Sequence, residues 1–156
     1  MIRPARHEDA PAIAAIWNRV IRDTVATFTT AEKDPAALAA GIQTQPYWVA
    51  EEAGEILGFA TYFQFRGGPG YAHTMEHSVH LDPKAQGRGL GRALMATLED
   101  HARAHGVHSL FAGISGENAA GIAFHAALGY AHAARLSQVG RKFGRWHDLV
   151  LMQKFL

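Results

Sequence analysis

Cysteine is missing from the 156-residue chain. That absence removes disulfide frameworks, zinc thiolate sites, a cysteine nucleophile and an acyl-carrying thiol together. Any thioester handled by such a protein must arrive with its own sulfur. Long apolar runs are missing as well: none approaches the roughly 18 residues of a membrane span. The N-terminal MIRPARHEDA has no apolar segment behind its arginines, so neither a secretory signal nor a transit peptide is expected. Cytoplasm is the expected compartment. Charge of one sign is also scarce, with 15 Lys and Arg against 14 Asp and Glu and a formal net charge of +1. Without a basic run there is no nucleic-acid footprint, and small substrates become the expected partners.

Histidine, by contrast, is abundant, with ten copies including His73, His77 and His80 close together. On a strand, however, His73 and His77 stand roughly 13 Å apart, because each residue advances about 3.3 Å. Two such side chains cannot share one ion without a bend, and no metal is expected.

What remains is globular in composition: 48% apolar and 19% charged residues. The length suits one domain over residues 1–156, large enough to bury a core without staples. Start signals recur along it. Arg3 to Ala5 closes a short strand; Asp9 with Pro11 opens a helix carrying Ile13, Ile16, Trp17 and Val20 at helical spacing. Asp34 and Pro35 open a shorter helix to about Thr44. Tyr47–Glu51 and Glu55–Phe65 read as an antiparallel hairpin turning at Ala53 and Gly54, followed by the loop RGGPGY. Thr74–Leu81 alternates, with Thr74, Glu76, Ser78 and His80 on one face and Met75, His77, Val79 and Leu81 on the other. A helix from Leu90 to His105 stacks Leu90, Leu94, Leu98 and Ala102 and stops at Gly106. Ser109–Ser115 is a buried strand, and Asn118 caps a helix running to Leu128. Strands near Ala131–Gln138 and His147–Phe155 bracket GRKFGRW as a loop. The pattern predicts a mixed, mostly antiparallel α/β (α+β) sheet flanked by about four helices, not a fully wound parallel one.

Ahead of the third helix stands QGRGLG, Gln86–Gly91. A glycine-rich loop entering a helix offers free N–H groups at the positive end of the helix dipole, a site for phosphate. An ordinary strand-to-helix turn could use the same residues. Two familiar phosphate loops are excluded. Arg92 and Ala93 follow Gly91 where a P-loop has Lys-Ser/Thr. The spacing and mid-chain position do not fit a dinucleotide fingerprint. The residual pattern is Gln-x-x-Gly-x-Gly.

That pattern resembles the Gln/Arg-x-x-Gly-x-Gly/Ala pyrophosphate loop of the GNAT superfamily of N-acetyltransferases. Further segments narrow the resemblance to its phosphinothricin and methionine sulfoximine or sulfone acetyltransferases. IAAIWNRVI is similar to that group's first helix, YAHTMEHSVHL to its Thr-x-Glu-x-Ser-Val-Tyr strand, and FHAALGY to its Leu-His-x-x-Leu-Gly-Phe. VGRKFGRWHDL is similar to its Val-Gly-x-Lys-Phe-Gly-x-Trp-x-Asp signature, the most specific of the set. The likeness spans nearly the whole chain.

The resemblance implies acetyl-CoA as co-substrate, with its pyrophosphate on the amides of Gly87, Arg88, Gly89, Leu90, Gly91 and Arg92 and the Arg88 and Arg92 side chains free to help. Val79, His80 and Leu81 would offer backbone to the pantetheine arm, and Asn118 matches a cofactor contact as well as a helix cap. Glu76 would be the base that frees the amine. His125 occupies the place where many acetyltransferases keep a tyrosine acid; a half-buried histidine bonded to backbone is the other reading. Arg66 would clamp the acceptor's carboxylate. Gly67, Gly68 and Tyr71 would shape its pocket, with Thr74, Glu76, His77 and Ser78 on the acceptor side. Lys142, Phe143 and Trp146 would close that pocket or form a dimer contact, and a homodimer is the group's usual assembly. His80, where relatives carry tyrosine, Phe65, where they often carry tryptophan, and the glycine-rich RGGPGYAH depart from the group on the acceptor side.

The implied reaction is direct acetyl transfer to the α-amine of a small amino-acid-like acceptor. A same-fold enzyme acting on a peptide N-terminus or a polyamine is the nearest alternative. A non-catalytic acyl-CoA sensor would keep QGRGLG while needing neither Glu76 nor His125, and a nucleotide-binding regulatory module lacks the lysine it would want.

Overall fold

A computed structural model describes all residues 1–156. Seven strands form one sheet: β1 Ile2–Pro4, β2 Tyr47–Glu52, β3 Glu55–Gln64, β4 Thr74–Leu81, β5 Ser109–Ser115, β6 Ala131–Lys142 and β7 Arg145–Phe155, in the order β1-β2-β3-β4-β5-β7-β6. Every neighbouring pair is antiparallel except β4 and β5. Four α-helices cover it: α1 Ala10–Asp23, α2 Pro35–Ile42, α3 Leu90–Ala104 and α4 Ala119–Ala127.

The two-residue period of β2 explains the layering. Val49 points into a core shared with Ile13, Ile16 and Leu38 of α1 and α2, together with Phe59. Its neighbours Trp48 and Ala50 point the other way, into a core built with Leu94, Met95, Leu98 and Ala102 of α3. Ile122, Phe124 and Leu128 bring α4 onto that second core.

The helix starts were legible, with one correction. Asp34 caps α2 as expected, accepting from the Ala37 N–H at 3.0 Å. Asp9 stands at the start of α1, but its carboxylate turns to the Arg3 guanidinium at 2.8 and 3.0 Å and to the Arg6 N–H at 2.7 Å. A bidentate charged pair outcompetes a neutral cap for the same oxygens. Ala53 and Gly54 both take positive φ, the geometry of a two-residue hairpin turn.

The C-terminal hairpin is longer than the sequence suggested. GRKFGRW is strand on both sides of a two-residue turn, Phe143–Gly144, with φ of 53° and 74°. Phenylalanine at a left-handed position is uncommon, so the turn carried only half of its usual signature.

One feature of the sheet creates the site. β4 and β5 pair from Thr74↔Ser109 to His77↔Ala112 and then part, although β4 continues to Leu81 and β5 to Ser115. Each stays paired on its far side, β4 with β3 through Leu81↔Gly58 and β5 with β7 through Ser115↔Leu149. Between the two strands a wedge opens, and Ser78–Leu81 presents an unpaired backbone edge to it.

Candidate active site

The wedge widens into a cleft of about 1040 Å³, walled by Glu76–Leu81 of β4, Ala112–Ser115 of β5, the glycine loop, one side of α4 and the α1–α2 connection. A second hollow of about 710 Å³ lies behind α1 and is lined by charges of both signs, among them Arg3, Asp9, Arg19 and Glu55. It lacks both the open strand edge and the glycines. The chemistry therefore belongs to the larger cleft.

The three glycines do two different jobs. Gly87 and Gly89 take φ of 75° and 80°, which only glycine adopts without strain, and a Cβ at either would meet nothing. Gly91 has ordinary backbone but no space: a Cβ there would stand 3.1 Å from the Phe124 ring. Its bareness lets α3 approach α4. None of the amides from Gly87 to Arg92 donates to a protein acceptor, and the first backbone bond of the helix runs from the Ala93 N–H to the Gly89 carbonyl. Six consecutive free donors at a helix start suit a pyrophosphate. The side chains divide: Arg92 lines the cleft, whereas Arg88 is ion-paired with Glu52 on the surface, so it is not free as expected.

Glu76 projects toward β5, where Gly113 gives it room; a Cβ on Gly113 would lie 3.5 Å from Glu76 Oε2. Burial alone pushes its carboxyl above the ordinary glutamate range, with no cation or donor to oppose it. His80, two residues along the same face, packs against Trp17 and Phe59 at ring distances of 6.1 and 5.6 Å. Burial holds His80 neutral, lowering it to about 4. That face of β4 is thus roofed by α1, with the Glu76 carboxylate at its cleft end.

His77 lies on the opposite face, away from Glu76, and pairs with His125 across 2.9 Å between their Nε2 atoms. The tautomers follow from the partners. The Gly121 carbonyl can only accept, so His125 donates through Nδ1 at 2.8 Å and keeps its lone pair on Nε2. His77 must then donate through Nε2, and its buried Nδ1 is left without a partner. Desolvation, reinforced by His125, lowers His77 to about 3, and burial lowers His125 too. Both nitrogens of His125 are engaged within the protein although the ring lines the cleft, so the geometry is that of the second reading, a histidine bonded to backbone that anchors α4 to β4.

Asn118 caps α4, accepting from the Gly121 N–H at 2.9 Å, and lines the cleft. Val79, His80, Leu81 and Ser78 also line it; Leu90 does not. Arg66, Gly67, Gly68, Tyr71 and Thr74 stand outside its walls. The Arg66 guanidinium lies over the Tyr71 ring, 5.6 Å from its centroid, while Gln64 ties the loop by donating to the Arg66 and Gly68 carbonyls. Arg66, expected as a carboxylate clamp, thus stands outside the cleft wall on a loop that folds back on itself.

Sequence reasoning missed Lys33. Asn18 brackets its backbone, accepting from the Lys33 N–H at 2.6 Å and donating to its carbonyl at 3.0 Å. Its ammonium rests over the Trp17 ring at 4.4 Å, and Lys33 and Arg92 are the only lysine or arginine in the cleft wall. A lysine in an irregular connection carries no local signal. Only the fold brings it to Trp17.

Comparison with known proteins agrees with this geometry. The family model described as "Acetyltransferase (GNAT) family" matches residues 13–130. The L-amino acid N-acyltransferase MnaT of Escherichia coli is 41% identical, over 97% of this chain and 91% of its own. The L-methionine sulfoximine/L-methionine sulfone acetyltransferase of Salmonella typhimurium is 40% identical, over 97% of this chain and 92% of its own. Among solved structures, the yncA protein of Salmonella typhimurium, determined with its cofactor acetyl-CoA, superposes with a TM-score of 0.96 at 40% identity. That match covers 100% of this chain and 93% of the other.

Proposed function

The chain belongs to the acetyltransferase (GNAT) family and is an acetyl-CoA-dependent N-acetyltransferase; we propose that its acceptor is the α-amine of a small amino acid with an oxygen-rich side-chain end. Methionine sulfoximine, methionine sulfone and phosphinothricin have that chemistry. The observation that carries the reading is the convergence, in one cleft, of six free loop amides, an open strand edge and a half-buried carboxylate without a partner.

Each part has a role in this proposal. The amides of Gly87–Arg92, with the Arg92 side chain, hold the pyrophosphate of acetyl-CoA, and Asn118 lines its path. The backbone of Val79, His80 and Leu81 receives the pantetheine arm as an added strand, and the Val79 amide polarises the thioester carbonyl. Glu76, directly or through one water, takes a proton from the acceptor ammonium and releases a neutral nucleophile. The amine nitrogen bonds to the carbonyl carbon, the carbon–sulfur bond breaks, and coenzyme A leaves as thiolate; the nitrogen sheds its second proton to cleft water, which returns one to the thiolate. Lys33, rather than Arg66, faces the acceptor's carboxylate, since of the two cations in the cleft wall Arg92 belongs to the glycine loop. A buried carboxyl held above its ordinary range is suited to the base role near neutral pH. A cytoplasmic location belongs to the proposal, on the ground that acetyl-CoA is supplied there. So does a homodimer, for which Phe143 and Trp146, each more than half exposed, are candidate contacts.

The test is release of free thiol from acetyl-CoA by the purified protein. The acceptors are methionine sulfoximine, methionine sulfone, phosphinothricin, spermidine and a panel of short peptides. Saturable release with the amino-acid analogues alone supports the reading. Release with spermidine or the peptides alone replaces the acceptor, and tight acetyl-CoA binding with no turnover replaces the enzyme with a sensor.

A further inference from the structure

The most specific stretch of the sequence, VGRKFGRW, touches none of the reacting groups, yet it is tied to a wall of the cleft. Lys142 is only 2% exposed. Its ammonium donates to the Thr24 carbonyl at 2.7 Å, the Thr27 carbonyl at 2.9 Å and Thr27 Oγ1 at 3.4 Å. Three donors meet three oxygens, and all three belong to the connection between α1 and α2. No carboxylate shares the site. The ammonium is held by backbone dipoles of a segment more than a hundred residues away in sequence.

A second contact reaches the same connection through different atoms. The Phe28 ring lies flat across Gly140, where a Cβ would stand 2.3 Å from Phe28 Cδ2. It stacks on His147, with ring centroids 5.4 Å apart and planes 18° from parallel. His147 is fixed in turn by the Lys142 carbonyl at 2.9 Å and the Glu117 carboxylate at 2.6 Å. The two-residue turn at Phe143–Gly144 brings Gly140 and Lys142 of one strand over His147 of the next. Thr24, Thr27, Phe28 and Glu117 all line the cleft.

We propose that Lys142 and Gly140 are positioning residues for acceptor recognition, forming a latch that, through Thr24, Thr27 and Phe28, fixes the connection of residues 24–34 as the acceptor-side wall. The proposal rests on the acetyltransferase reading of the cleft given above. None of the latch contacts involves the glycine loop. Its loss therefore loosens the acceptor wall without disturbing the amides that take the pyrophosphate.

Two variants reach the latch independently. Lys142→Met keeps the stem and removes the ammonium; Gly140→Ala keeps the ammonium and lifts Phe28. Each is expected to raise the acceptor KM by ~10-fold or more, on the scale of a misplaced binding group, while the acetyl-CoA KM stays within about 2-fold. Amide hydrogen exchange across residues 24–34 speeds up in both, and the double variant is no worse than the weaker single variant by more than about 2-fold, because both release one wall. A merely structural role would lower the amount of active enzyme without separating the two KM values. An unchanged acceptor KM in either folded variant overturns the latch, as does a parallel rise in the acetyl-CoA KM. Unchanged exchange across 24–34 does the same and needs no acceptor. Absence of turnover in the unsubstituted protein would instead refute the acceptor assignment, so the two failures are separable.

Discussion

Replacing Glu76 by Gln is the sharpest test of the proposed chemistry, because the proposal gives the acceptor ammonium's proton to that carboxylate alone. It is part-buried, sits over Gly113, and has no cation or donor to justify burying a charge. Glutamine keeps the shape and loses the base. Removing a positioned base costs on the order of 10²-fold or more in kcat, and the acetyl-CoA KM should stay near its original value, since the loop amides are untouched. Glu76→Asp withdraws the carboxylate by about one carbon–carbon bond, roughly 1.5 Å. A displacement of that order is itself worth ~10²-fold where a proton must be met in line. The assay is initial-rate thiol release across pH 6 to 9 at saturating acetyl-CoA. Stability supplies the control. Burial raises the folded-state pKa of Glu76, so its contribution to stability is present below the ordinary carboxyl range and is lost as pH rises through the raised value. The uncharged Gln should therefore melt at the same temperature as the original at pH 8, or higher. A slow but unimpaired fold marks a functional carboxylate, whereas a folded Glu76→Gln enzyme with undiminished kcat throughout that pH range would refute the assignment.

The remaining expectations are quicker to state. Arg92→Ala should raise the acetyl-CoA KM by ~10-fold, a charge-assisted phosphate contact being worth about 1.5 kcal/mol, while Arg88→Ala, which breaks only the exposed pair with Glu52, should change it less than about 2-fold. Equal effects would show that the surface pair opens to admit the phosphates. Gly91→Val drives a side chain into the Phe124 ring and should cost ~1–3 kcal/mol in denaturant unfolding, with Phe124→Leu recovering part of it; a neutral Gly91→Val would show that α3 and α4 are not in close contact. His77 and His80 are both held neutral by burial, at about 3 and about 4, so their stabilisation is complete above the ordinary histidine range and is lost as pH falls. His77→Phe should reduce the acid-side slope of stability by up to ~1.4 kcal/mol per pH unit, one proton's worth, between about pH 6 and pH 4. An unaltered slope would place the titrating group elsewhere.

What could be read from the sequence was local. Asp34 announces α2 because its side chain bonds three residues away, and β4 shows its two faces because alternation needs no neighbour. What the sequence hides is which partner a polar side chain chooses, whether a few residues away or across the fold. Asp9 was a helix start by every local rule, but Arg3 took its oxygens. His77 and His125 are 48 residues apart, and nothing in either neighbourhood says that each satisfies the other. Arg66 takes a clamp role only from the resemblance; its own loop, tied by Gln64, lays it over Tyr71. Lys142 lies beside a turn that begins with phenylalanine, and that residue hides from the sequence the hairpin that buries it.

The glycines of QGRGLG answer to more than one demand. From sequence, QGRGLG says that bare backbone is wanted before a helix, and anion binding is the economical explanation. The structure separates the demand into two: Gly87 and Gly89 are required by backbone conformation, Gly91 by the Phe124 ring. Neither demand is phosphate as such. A turn of this shape on any sheet would make an anion site of low specificity. What turns it into a thioester site is the parting of β4 from β5 after His77, which leaves a strand edge free beside the loop. That parting is produced by pairings on the far sides of both strands, β3 with β4 and β7 with β5, so the reactive end of the cleft depends on residues that never face it. The long C-terminal hairpin then serves twice, as the partner that draws β5 away and, through Gly140 and Lys142, as the support of the opposite wall. Substitutions that shorten this hairpin should consequently damage acceptor binding before they damage the glycine loop.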